Sequence, residues 1–158
     1  MNDWYHNVSA DVSAAFQNAT TNTNATTPSP DSGLINGAGR FIGGTEVARS
    51  VIGVTSGKRY RFRVINTSAM AAFKFSVEGH SLTIIEADGI SHKPLVVDSF
   101  DIYAGQRISV VLNANETVDN YWIRAPVSYY TLSSGSRVMI VFPSNSDVAR
   151  SPRHKLEL

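Results

Sequence analysis

The chain has 158 residues, 42% of them hydrophobic and 17% charged, which suits one globular domain with a core of its own. A net charge of +1 gives no electrostatic footprint for nucleic acid or an anionic membrane, and no apolar run approaches the roughly 20 residues a spanning helix needs. The absence of cysteine excludes disulfides, thiolate nucleophiles, zinc knuckles and the thiolate ligand of a blue copper.

MNDWYHNVSADV, at the start, lacks the basic and apolar regions of a secretory signal, so any such signal lies outside this chain. Residues 17–32, QNATTNTNATTPSPDS, are polar, proline-bearing and without periodicity, and read as a loop. Asn36-Gly37 is a tight-turn signal, because both residues tolerate positive φ. RSVIGV leads into a Ser56-Gly57 turn. KRYRFRVI then alternates, with Tyr60, Phe62 and Val64 on one face and Arg59, Arg61 and Arg63 on the other. FKFSV points Phe73, Phe75 and Val77 inward before a turn at Glu78-Gly79. LTIIEA, PLVVDSFDIY, QRISVVLNA, NYWIRA and RVMIVF complete about eight strand candidates, with turns at Asp88-Gly89, Ala104-Gly105 and Asp119-Asn120. No segment sustains a 3.6-residue apolar period. The expected class is all-β, an antiparallel sandwich or barrel with Greek-key connections. One domain is expected over residues 1–145, with 146–158 as a non-native or disordered tail.

Five Asn-x-Ser/Thr sequons occur, at Asn7, Asn18, Asn24, Asn66 and Asn115, where 11 Asn among 30 Ser/Thr give about two by chance. The excess points to a secreted, extracellular glycoprotein. Of the four histidines (His6, His80, His92 and His154), no two form His-x-His or sit four apart on a helix, so no metal site is expected. His80 follows a hairpin glycine, where an imidazole can bond exposed backbone groups. Glu86 and Asp88 could share a strand face, but an acid/base pair needs pKa values pushed apart, and Asp88-Gly89 reads first as turn chemistry. The arginine stripe reads as a solvated face or as a source of inter-domain ion pairs. No Gly-x-Ser-x-Gly elbow and no glycine-rich phosphate loop appears. The residues alone give no catalytic machinery in this chain.

The blocks DWYH at 3–6, PDSGLINGAGRF at 30–41, GKRYRFRVINTS at 57–68 and FSVEGHSLTIIEADG at 75–89 resemble one family in order and spacing. VDSFDIYAGQRISVVLNAN at 97–115 and DNYWIRA at 119–125 continue the match. The chain looks like the second, middle cupredoxin domain of fungal laccases, in the multicopper oxidase family. The resemblance implies a cupredoxin-like Greek-key β-sandwich inside a parent enzyme that oxidises phenols and aromatic amines and reduces dioxygen to water. It implies that copper belongs to the parent and that its ligands lie in the first and third cupredoxin domains, as His-x-His and His-Cys-His motifs. The middle domain then has those two domains as partners, supplies no ligand, and forms part of the phenol-pocket wall. Many laccases carry a cysteine and then an aspartate after the strand matching RFRVINTS. Here those positions hold Ala69 and Met70, so the tether is missing and Met70 cannot accept the phenolic proton. Met70, Tyr129 and Tyr130 are the pocket-wall candidates the resemblance gives. Two readings stay open beside it: a self-sufficient secreted β-sandwich that binds or supports without catalysis, and an enzyme built on Glu86, Asp88 and His80.

Overall fold

Period-two alternation governs the long strands of the computed structural model, which describes residues 1–24, 28–41, 43–45, 47, 50–128 and 156–157. In chain order the elements are β1 (Asn2–Trp4), α1 (Ser9–Gln17), β2 (Ser32–Leu34), β3 (Ser50–Val51), β4 (Arg59–Ile65) and β5 (Phe73–Val77). There follow β6 (Leu82–Ala87), β7 (Ile90–Val97), β8 (Ser99–Ile102), β9 (Arg107–Asn113), β10 (Ile123–Arg124) and β11 (Leu156–Glu157). One antiparallel sheet has the order β4-β9-β6-β7 and a second has β10-β5-β8. Only β6 and β7 are joined as a hairpin within one sheet; the other connections among β4 to β10 pass between the two sheets, as a sandwich requires. Two smaller pairings flank them, β1 with β2 antiparallel and β3 with β11 parallel. The β3–β11 pairing involves Leu156–Glu157, inside the stretch expected to be a tail.

The inward residues are those the alternation predicts. Val64, Leu82, Ile84, Val110 and Leu112 of the first sheet share one apolar cluster with Phe73, Phe75, Val77, Phe100, Ile102 and Ile123 of the second. Phe75 and Phe100 are register partners whose rings lie 5.3 Å apart. Burying each such side chain contributes about 1.5–3 kcal/mol. On the opposite face of β4, Arg59, Arg61 and Arg63 are exposed. The edge strand β7 is exposed along nearly its whole length, Leu95 and Val96 included.

Two tight turns have the backbone their sequences call for. Asn36 and Gly37 have φ of 48° and 81° between the bridge partners Ile35 and Ala38, and Asp88 and Gly89 have φ of 48° and 86° between β6 and β7. Both residues of each turn are left-handed, the conformation that a two-residue hairpin of matching twist needs. α1 is a departure from the sequence expectation. It has no buried residue and no side-chain cap, so it leaves no periodic apolar signature to read.

Candidate functional site

The segment between β4 and β5 carries Ala69 and Met70, and it is held from two sides. From below, the side chain of Asn66 is 1% exposed. Its Nδ2 donates to the carbonyls of Ala71 at 2.8 Å and Ile102 at 3.0 Å, while its Oδ1 accepts the Ser68 N–H at 3.0 Å. These bonds fix the turn by which the chain leaves β4, since buried amides must find partners. Asn66 is also one of the sequon asparagines, and in the folded chain its amide nitrogen is buried and engaged. Asn7, Asn18, Asn24 and Asn115 are exposed.

From above, the N-terminal strand is laid across the same segment. The Met1 carbonyl accepts the Thr67 N–H at 2.7 Å, and the Met1 amine donates to the Ile65 carbonyl at 2.6 Å. Burial lowers the pKa of that amine. The Asp3 N–H donates to Ser68 Oγ at 3.0 Å. The Asp3 carboxylate accepts three successive backbone N–H groups, Ala69 at 3.0 Å, Met70 at 3.0 Å and Ala71 at 3.3 Å. Met70 is half-buried.

The segment that leads to Tyr129 approaches from β10. The Ser128 N–H donates to the Ala72 carbonyl at 2.8 Å, Lys74 N–H donates to Pro126, and Phe73 bridges Val127. The chain that enters Tyr129 therefore runs beside the Met70 segment. Tyr129 and Tyr130 themselves lie outside the described residues.

The other singled-out side chains are structurally engaged. His80 is buried, and its Nδ1 lies 2.8 Å from the Glu78 carbonyl; a carbonyl only accepts, so the proton sits on Nδ1. The His80 ring meets Tyr121 edge-on at 4.6 Å. A bulge between Ile84 and Glu86 sets Glu86 opposite Ser109. There its carboxylate takes Arg61 Nη2 at 2.6 Å and Ser109 Oγ at 3.0 Å. Asp88 accepts the Arg107 N–H at 2.9 Å, with the Arg107 guanidinium 3.4 Å away. So Glu86 and Asp88 each face an arginine, and Arg61 of the predicted basic stripe is paired within the sheet.

Near the N-terminus, Asp31 accepts the His6 N–H at 2.8 Å, with His6 Nδ1 at 3.1 Å. That backbone bond, helped by the His6 ring, holds the Asp31 carboxyl below its ordinary pKa. His6 also packs edge-on against Trp4 and Phe41 at 4.6 and 4.5 Å. His92 has its Nδ1 on the Lys93 carbonyl. Among the described residues no three His, Cys, Asp or Glu side chains converge on a point a metal could occupy, so these residues do not fit a copper ion. His154 lies outside them.

The multicopper oxidase profile matches residues 1–141. The chain belongs to the multicopper oxidase family. Laccase-4 of Thanatephorus cucumeris is 61% identical over 128 residues, covering 81% of this chain and 24% of that protein. Laccase-2 of Agaricus bisporus is 50% identical over 126 residues, covering 80% of this chain and 23% of that protein. The crystal structure of the Botrytis aclada laccase superposes with a TM-score of 0.74 at 25% identity, over 99% of this chain and 29% of the other. Fet3p, a multicopper oxidase that functions in iron import, shares the fold with a TM-score of 0.78 at 21% identity. The chain thus spans about a quarter of the length of the curated laccases it matches and is a domain-sized part of that family's architecture.

Proposed function

We propose that residues 1–145 are the middle domain of a secreted fungal laccase-type oxidase, a copper-free scaffold between the copper-bearing first and third domains. Copper in those domains supplies the electron transfer from phenol to dioxygen. This chain's part is to bind and orient: the 66–72 segment with Met70, and the segment from Ser128 into Tyr129 and Tyr130, form one wall of the phenol pocket. The observation that carries this reading is the juxtaposition of those two segments through the Ser128–Ala72 hydrogen bond, on a chain a quarter the length of its laccase relatives. Met70 offers the phenol an apolar contact and no proton acceptor. The exposed sequons at Asn7, Asn18, Asn24 and Asn115 support secretion.

Copper analysis and oxygen uptake with a phenol test the division of labour. The isolated chain is expected to be blank in both, and the full-length parent active in both. Stoichiometric copper with turnover in the isolated chain would overturn it. A coding sequence that continues into a His-Cys-His segment supports the reading, whereas a frame ending near Leu158 favours a self-sufficient β-sandwich module.

A further inference from the structure

We propose that Asp3 is a positioning residue for the pocket wall, fixing the backbone of Ala69–Ala71 and so the place from which Met70 projects. The proposal rests on the assignment of the 66–72 segment to the phenol pocket. Its physical basis is the arrangement of donors. Residues 69–71 precede β5, so their N–H groups have no ladder to join, and three N–H groups in succession make a concave, partly positive nest. A carboxylate fits such a nest because it is acceptor-only and charged, which makes each bond stronger than a neutral one.

Asp3 reaches the nest from 66 to 68 residues earlier in the chain. It is held there by its register with Gly33 in β2 and by its own N–H on Ser68 Oγ. The carboxylate also accepts the Tyr5 hydroxyl at 3.2 Å. Four donors thus occupy it, which suits an orienting group rather than a base aimed at a substrate. Met70 itself carries no proton acceptor, so discrimination at this position falls to shape. A flexible thioether selects by shape only when its backbone is fixed, and Asp3 above with Asn66 below supply that fixation.

The test compares the full-length parent oxidase with its Asp3→Asn and Asp3→Ala variants. Asp98→Asn, whose carboxylate accepts Ser81 Oγ and makes no bond to the 66–72 segment among those described, is the control. Hydrogen exchange of a peptide spanning 66–72 is expected to accelerate about tenfold or more in the Asp3 variants. KM for a bulky substituted phenol is expected to rise about threefold or more while kcat stays within about twofold, the split a lost binding contact gives. Asp98→Asn should change neither. Slow exchange across β9 certifies that a variant is folded, and Asp3→Asn, which keeps the size and one acceptor, serves where Asp3→Ala does not fold. Unaltered exchange over 66–72, or accelerated exchange with wild-type KM for every phenol, would overturn the role of Asp3. A wild-type parent that oxidises no phenol would instead remove the pocket assignment itself.

Discussion

The β6–β7 hairpin and the 66–72 segment are both short connections in one sandwich, yet different physics holds them. The hairpin is a local object: Asp88 and Gly89 adopt left-handed backbone, and the strands on either side pair directly. The 66–72 segment has no regular turn. A buried amide from Asn66 and a carboxylate from Asp3 impose its shape, with bonds that reach across the sandwich and to the chain's first strand. A local turn can be changed at the cost of one residue's conformational preference. A segment shaped by distant polar groups fails when a single distant group is removed.

The largest effect that would sharpen this contrast is at Asn66. Asn66→Ala leaves the Ala71 and Ile102 carbonyls and the Ser68 N–H without their partner and should cost about 2–4 kcal/mol in denaturant unfolding. A loss below half a kcal/mol would mean that water replaces the amide and that the segment is not held from below. Gly89→Ala comes next. A Cβ there meets nothing within 4 Å, so the cost is that of left-handed backbone alone, about 1–2 kcal/mol. A much larger loss in the same unfolding experiment would show the hairpin to be less local than its geometry indicates.

The smallest effect concerns Asp31, which ties the N-terminal segment through His6. Its carboxyl titrates below the ordinary value in the folded chain, first through the His6 N–H and then through the His6 ring. A depressed folded pKa adds stability above the unfolded value, and that stability is lost as pH falls through the folded value. Asp31→Asn should therefore lower Tm slightly at pH 6, and the wild-type and variant curves should converge below about pH 4. A difference that stays constant from pH 7 to pH 3 would exclude a charge-dependent tie.

The same contrast marks what the sequence disclosed. Alternation in RYRFRVI and FKFSV, together with the Asn36-Gly37 and Asp88-Gly89 turns, fixes strands, faces and hairpins from neighbours only a few residues apart, and the structure has them where they were expected. His80 on the Glu78 carbonyl also follows from its place after a hairpin glycine. The Asp3 contacts were not legible, because nothing near position 3 announces three amide donors more than sixty residues on. The burial of Asn66 was not legible for a related reason: Asn-Thr-Ser is a sequon by local pattern, and the amide's bonds to the Ala71 and Ile102 carbonyls come only with the fold. α1 escaped notice because a helix that buries no residue imposes no apolar period. The bulge that turns Glu86 toward Ser109 and Arg61 has no local signal, since LTIIEA reads as an uninterrupted strand.

Among the described residues the larger sheet ends at β7 with an open flank, which bears on association. A strand with one side unpaired offers a row of amides and carbonyls to any extended chain, and β7 adds exposed Leu95 and Val96 to that invitation. Within the same strand, Pro94 has no N–H to give and Lys93 would carry its charge into any seam. The strand is thus discouraged from templating another copy beside it, and its apolar side chains stay accessible without seeding strand-by-strand growth.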